Sequence, residues 1–201
     1  MSRGPGPGMA TDAGVPKPGL EPDVTPRRFA RRRAVTEAEV CAIVRIQAMT
    51  AAPGAWRGAL LLSRAGEHAA CWIAFGLTGA ALDARQRRSW LRATVAVAGA
   101  HMLSVALKRL VRRPRPSDPR IEVRLRAPGR WGFPSSHATS TAAAAVAYSR
   151  LLGRRLPLVS VPLMLASRVA AGLHYPSDVL AGAVMGGLVG RWAGDAAPRR
   201  S

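Results

Sequence analysis

The sequence predicts an all-α fold, a transmembrane bundle of about five helices behind a disordered basic N-terminal tail. Three observations predict it. Five apolar stretches cover residues 69–82, 93–107, 138–149, 156–167 and 179–190; their polar interruptions gather at the ends; and Ala and Gly replace Leu along the faces that would pack. Runs of 12 to 15 residues are shorter than the roughly 18 to 20 that announce a membrane helix, so length alone also fits core helices of a soluble protein. Their apolarity all round favours lipid. At 201 residues the chain has room for one domain with a sizeable core.

Residues 1–35 are rich in Pro, Gly and Arg and bury too little apolar surface to fold, so they read as a disordered tail, solvated or laid on an anionic lipid surface. They hold no apolar run behind their charges and carry no secretory signal. Residues 36–66 read as interfacial or peripheral helices, with Val40, Ile43, Val44 and Ile46 separated from Leu60, Leu61 and Leu62 by the turn signal Pro53-Gly54. Residues 67–195 form the membrane domain. Gly182, Gly186 and Gly190 repeat at the spacing that lets helices approach closely. Cys41 and Cys71 form no CxxC pair and read as small core hydrophobes, not as metal ligands or disulfide partners.

The formal charge of +19 calls for an anionic partner. Nucleic acid fits poorly, because aromatic residues make up only 5% of the chain and no zinc-finger spacing is present. The charges also orient the bundle. Arg85, Arg87, Arg88 and Arg92, then Arg150, Arg154 and Arg155, then Arg191, Arg199 and Arg200 fall at one end if the runs alternate in direction. With that end cytoplasmic, segments 108–137 and 168–178 emerge together on the extracytoplasmic face. Segment 108–130 opposes the rule with nine Lys and Arg, which asks for a chemical reason.

Three motifs supply one. In Lys108-x6-Arg115-Pro116 a helix ends at a basic run that Pro114 and Pro116 force into extended backbone, so that Lys108 and Arg115 can meet one anion from two directions. By itself such a run equally describes cations snorkelling to an interface. Pro134-Ser135-Ser136-His137 opens the third run: Ser135 caps free N–H groups that also make an anion site, with His137 at its rim as a proton donor. An ordinary N-cap beside an incidental His has the same appearance. The most specific motif is Ser167-Arg168-x5-His174-x3-Asp178. There Asp178 can hold one ring nitrogen of His174 and leave the other as a nucleophile, and Arg168 is a costly charge on an otherwise apolar helix. His101 reads as a buried core residue and His68 as interfacial.

Together, and in this order, the motifs resemble the signature of the type 2 phosphatidic acid phosphatase (PAP2) superfamily, KxxxxxxRP, PSGH and SRxxxxxHxxxD, over about 70 residues from Lys108 to Asp178. Ser136 stands where the family most often has Gly. The resemblance implies an integral protein of the cell membrane that removes phosphate from a lipid without metal or cofactor, through a phosphohistidine. It assigns attack to His174, its orientation to Asp178, leaving-group protonation to His137, and the phosphoryl oxygens to Lys108, Arg115, Ser135, Ser136 and Arg168. The stretch from Arg64 to Trp72 resembles small actinobacterial members acting on polyprenyl-phosphate sugars. A phosphatidate or phosphatidylglycerophosphate substrate, a soluble acid phosphatase, a vanadate-dependent haloperoxidase and a non-enzymatic nucleic-acid or membrane-surface binder are the competing readings.

Overall fold

The computed structural model describes Met1 and residues 26–51, 69–125, 127 and 129–195. These hold six α-helices: α1 (Pro26–Met49), α2 (Ala70–Leu82), α3 (Arg87–Val111), α4 (Ser136–Leu152), α5 (Ser160–Ala170, entered through a 3-10 turn at Leu156–Val159) and α6 (Pro176–Asp195). Each of the five apolar runs coincides with one of α2 to α6. Among the described residues no strand is present, only an isolated bridge between Pro114 and Trp131.

Helix α4 is the axis. Residues Ala142, Ala143, Ala144, Ala145 and Ala147 are all buried, as are Thr139, Ser140 and Thr141, so small side chains let neighbours close in on every side. Helix α6 lies against it most intimately. A Cβ at Gly182, Gly186 or Gly190 would run into the carbonyl oxygens of Ser135, Thr139 and Ala143 respectively, so two backbones touch along three successive turns. The opposite stripe of the same helix carries Leu180, Val184 and Leu188, all exposed.

Small residues inward and large apolar residues outward reverse the arrangement of a soluble bundle. The same reversal exposes Phe75 and Leu77 on α2, Val95, Met102 and Leu103 on α3, and Leu163 on α5. Helix α3 is by itself long and apolar enough to cross a membrane, while α2 and the Leu156–Ala170 segment are shorter apolar helices. Cys41 and Cys71, expected in the core, are exposed. Apolar neighbours in sequence signal burial in protein only when lipid is not the alternative.

Away from the polar end, Trp90, Phe75 and Tyr148 form an aromatic cluster with centroids 5.2 to 5.8 Å apart. It joins α2, α3 and α4. The Tyr148 hydroxyl donates to Trp72 O (2.9 Å) and the Trp72 indole N–H to Thr141 Oγ1 (3.1 Å). At the same end Arg150 donates to Arg191 O (3.4 Å), which sets two of the basic clusters side by side.

The expectation of a disordered tail through residue 35 meets a helix that begins at Pro26. Proline suits a first helical position and arginine is a good helix former. Residues 2–25, and 52–68 in the second half of the expected interfacial segment, lie outside the described residues. On α1, Glu39, Val40, Ile43 and Gln47 are buried on one face. Val40 and Ile43 pack with Ile121, Val169 and Val179, so this face is part of the bundle.

Candidate active site

Four helix ends converge opposite the Arg150 end: the C-termini of α3 and α5 and the N-termini of α4 and α6. Helix α3 stops at Arg112, whose left-handed backbone (φ 51°) returns its N–H to Lys108 O at 3.1 Å. The chain then loops through residues 113–135 before α4 begins. Gly132 N–H to Arg113 O (2.8 Å) ties the loop across its base, and Arg124 N–H to Ala171 O (3.1 Å) ties it to the end of α5. Gly172 (φ +70°) turns the chain out of α5; a Cβ there would stand 2.6 Å from Glu122 O, so the turn can pass under the loop only without a side chain.

All eight residues singled out in the sequence meet here. Ser135 is the N-cap of α4, its Oγ accepting from Ala138 N–H at 3.5 Å and its own N–H donating to Asp178 O at 3.0 Å. Ser136 and His137 occupy the first turn. Arg168 is buried at the end of α5, His174 is 2% exposed in the α5–α6 turn, and Asp178 is fully buried in the first turn of α6. Lys108 Nζ donates to Gly132 O (3.0 Å) and Pro134 O (2.6 Å), reaching from α3 to the lip of α4. Arg115 reaches from the loop to Leu173 O (2.8 Å), Gly129 O (3.1 Å) and the His174 ring.

That last contact fixes the imidazole. Arg115 Nη1 stands 3.2 Å from His174 Nε2, and a guanidinium can only donate, so Nε2 presents its lone pair and the proton sits on Nδ1. Nδ1 faces Asp178 Oδ2 at 3.7 Å, longer than a formed hydrogen bond; the ion-pair geometry is there, yet Nδ1 has no hydrogen-bond partner. Burial, then the charges of Arg115, Lys108 and Arg168, hold the His174 pKa well below the ordinary imidazole range, with a backbone contact to Gly132 acting the other way. The ring is therefore held neutral, with three cations around it. Burial also lowers the pKa of Arg115, which remains a cation at any physiological pH.

Two more buried atoms here lack partners, Ser136 Oγ and His137 Nε2. His137 lies within electrostatic reach of His174, Arg168 and Lys108. Unpaired buried polar atoms cost about 1–3 kcal/mol each and are rare in native proteins, so their concentration at one helix start singles this end out as the candidate site. Beside it opens a cavity of about 480 Å³ lined by Arg115, Val123, Arg124, Leu125, Gly172 and Leu173, among others. A neutral imidazole, a carboxylate behind it and three cations in front can take a tetrahedral oxyanion such as a phosphoryl group and transfer it.

The sequence reading did not single out Arg113, Glu39 or Gln47. Arg113 bridges Asp178 Oδ1 (2.8 Å) and Glu39 Oε2 (2.6 Å). Gln47 pairs with both backbone groups of Glu122, at 2.7 and 3.1 Å, and donates to Ala170 O at 3.0 Å, clamping the loop to α5. A signal existed: Glu39, Ile43 and Gln47 recur every fourth residue, which sets two polar side chains on the apolar face of α1.

Comparison with known proteins places these features in a family. The PAP2 superfamily model matches residues 89–200. The chain is 46% identical over 153 residues, 76% of its length and 86% of the relative's, to decaprenylphosphoryl-5-phosphoribose phosphatase of Mycobacterium tuberculosis. It is also 46% identical over 145 residues, 72% and 81% of the two lengths, to the protein of that name from Mycolicibacterium smegmatis. A crystal structure of a transmembrane PAP2-type phosphatidylglycerolphosphate phosphatase from Bacillus subtilis superposes with a TM-score of 0.66 at 22% identity, covering 80% of this chain and 84% of that one. The inside-out helical bundle, the three motifs gathered at one end and these relationships agree: the chain belongs to the PAP2 superfamily and is a helical membrane enzyme that hydrolyses a phosphate ester of a lipid.

Proposed function

We propose that the enzyme removes the phosphomonoester from a polyprenyl-linked phosphosugar, by a two-step, metal-independent route through His174. His174 Nε2 attacks phosphorus, the bond to the sugar oxygen breaks, and His137 delivers a proton to that oxygen. Asp178 holds Nδ1–H and offsets the positive charge that the ring gains. Lys108, Arg115 and Arg168, with Ser135, Ser136 and the free N–H groups opening α4, bind the phosphoryl oxygens and their transition-state charge. Water, deprotonated by His137, then cleaves the phosphohistidine to inorganic phosphate and frees His174.

The observation that carries the reading is the meeting of Lys108, Arg115 and Arg168 around a buried neutral His174 whose second nitrogen faces Asp178. Two relatives named for a decaprenylphosphoryl phosphoribose support the substrate class. So does the adjoining cavity, where Arg115 and Arg124 stand among Val123, Leu125 and Leu173, a lining suited to a charged sugar on an apolar chain. The extracytoplasmic face is supported by Arg150 and Arg191 at the opposite end of the bundle.

The test is phosphate release by detergent-purified protein in excess EDTA, on a panel of prenyl phosphates, prenyl phosphosugars, phosphatidylglycerophosphate and phosphatidate, for wild type and His174→Ala. The expected result is EDTA-resistant release, fastest on the prenyl phosphosugar and lost in the variant. Equal rates in His174→Ala would sink the mechanism, and preference for a glycerolipid would sink the substrate assignment.

A further inference from the structure

We propose that Arg113 and Glu39 are positioning residues of this enzyme, a charge relay from α1 that sets the orientation and the net charge of Asp178 behind His174. The inference rests on the histidine mechanism above and extends it beyond the three motifs.

The geometry is closed on all sides. Asp178 has no solvent exposure, and its two oxygens are divided between partners: Oδ1 accepts from Arg113 (2.8 Å), Oδ2 accepts from Tyr175 N–H (3.0 Å) and faces His174. Arg113 is itself fixed from three directions. It donates to Glu39 Oε2 (2.6 Å) and to Ser177 Oγ (2.5 Å), and its guanidinium lies 4.5 Å from the centre of the Tyr175 ring. Glu39 completes the loop by accepting from both Ser177 N–H (3.1 Å) and Ser177 Oγ (2.5 Å) at the start of α6. One carboxylate on α1 therefore seats both the arginine that holds Asp178 and the helix turn that carries it.

Charge gives the second half of the argument. Arg113 alone would cancel Asp178 and leave nothing to balance the cation that His174 becomes when phosphorylated. With Glu39 included, one guanidinium lies between two carboxylates, and the cluster retains a net negative charge next to the ring. Partly buried charges interact strongly enough for this balance to matter. Were α1 only to be anchored, an apolar contact of the kind made by Val40 and Ile43 would serve at lower desolvation cost.

The experiment measures kcat and KM per folded molecule, with folding followed by circular dichroism and elution in detergent, for wild type, His174→Ala, Arg113→Gln, Arg113→Lys and Glu39→Gln. Misplacing a reacting group by about an ångström costs on the order of 100-fold, and that fall in kcat is expected for Arg113→Gln with KM within about twofold. Arg113→Lys is expected to recover part of it, since an ammonium reaches one carboxylate but not both. Glu39→Gln, which keeps the acceptor and removes the charge, is expected to lose about tenfold. Folded Arg113→Gln and Glu39→Gln proteins with wild-type kcat, a change confined to KM, or activity lost only in proportion to folded protein would each overturn the proposal. An inactive wild type or an active His174→Ala would instead overturn the histidine mechanism, and this proposal with it.

Discussion

At the end of the bundle that carries His174, the elements are joined by buried and half-buried polar side chains that reach from one element to another. Gln47 spans α1, the loop and α5, Arg113 spans α1 and α6, and Lys108 joins α3 to the lip of α4. At the other end the joints are mainly close packing: α6 glycine against α4 carbonyl, and the rings of Phe75, Trp90 and Tyr148. Lipid explains the division. Between helices in a membrane the hydrophobic effect gives little, so close backbone packing has to hold that half. Near the water, polar side chains can be recruited, and they fix positions more sharply than dispersion contacts do.

The two halves should therefore fail differently. Arg115→Gln, at the polar end, is expected to lower activity roughly 100- to 1000-fold, the cost of one donor to a transition-state oxyanion, while the protein stays folded. It should also move the acid limb of the pH profile. Arg115 is one of the charges holding the His174 pKa down, so its removal lets that pKa rise; His174 must be neutral to attack, and the limb shifts to higher pH than in wild type on the same substrate. An unmoved limb would mean that His174 is not the group titrating.

Gly190→Leu, at the apolar end, is expected to do the reverse. Its side chain would collide with Ala143 O on α4, and forced separation of the helices should cost about 3 kcal/mol, read as a lower midpoint of thermal unfolding in detergent. The activity of each molecule still folded should change little. Tyr148→Phe is the mildest test. It removes the hydroxyl that donates to Trp72 O and lies against the Thr94 side chain and should cost about 1 kcal/mol, with the ring cluster retained. If Gly190→Leu abolished activity in folded protein, the two halves would be coupled rather than separate.

Much of the site was legible because its motifs place residues by local rules. Ser135 at a helix start, His174 four residues before Asp178 and Lys108 at a helix end all follow from capping, turns and period. The helices were legible because apolar runs between charged ends leave few alternatives. Glu39, Gln47 and Arg113 were not. Arg113 is hidden in a run of arginines where neighbours look alike, and Glu39 meets Ser177 across 138 residues of chain. No local pattern reports a contact of that range. Cys41 and Cys71 failed in the opposite sense, their apolar context meaning outward as readily as inward.

By itself, then, the sequence determined that the chain is helical, that its apolar runs end in charge, that Gly182, Gly186 and Gly190 share a face, and that a histidine, a carboxylate and several cations are available at helix ends. These depend on residue type and on spacing within a turn or two. Only the tertiary structure decided which face of each helix looks to lipid, that Arg115 rather than another arginine touches His174, and that α1 reaches in to brace Asp178. Such matters are settled by the packing of elements far apart in the chain, where many pairings satisfy the same local rules and the total free energy selects one.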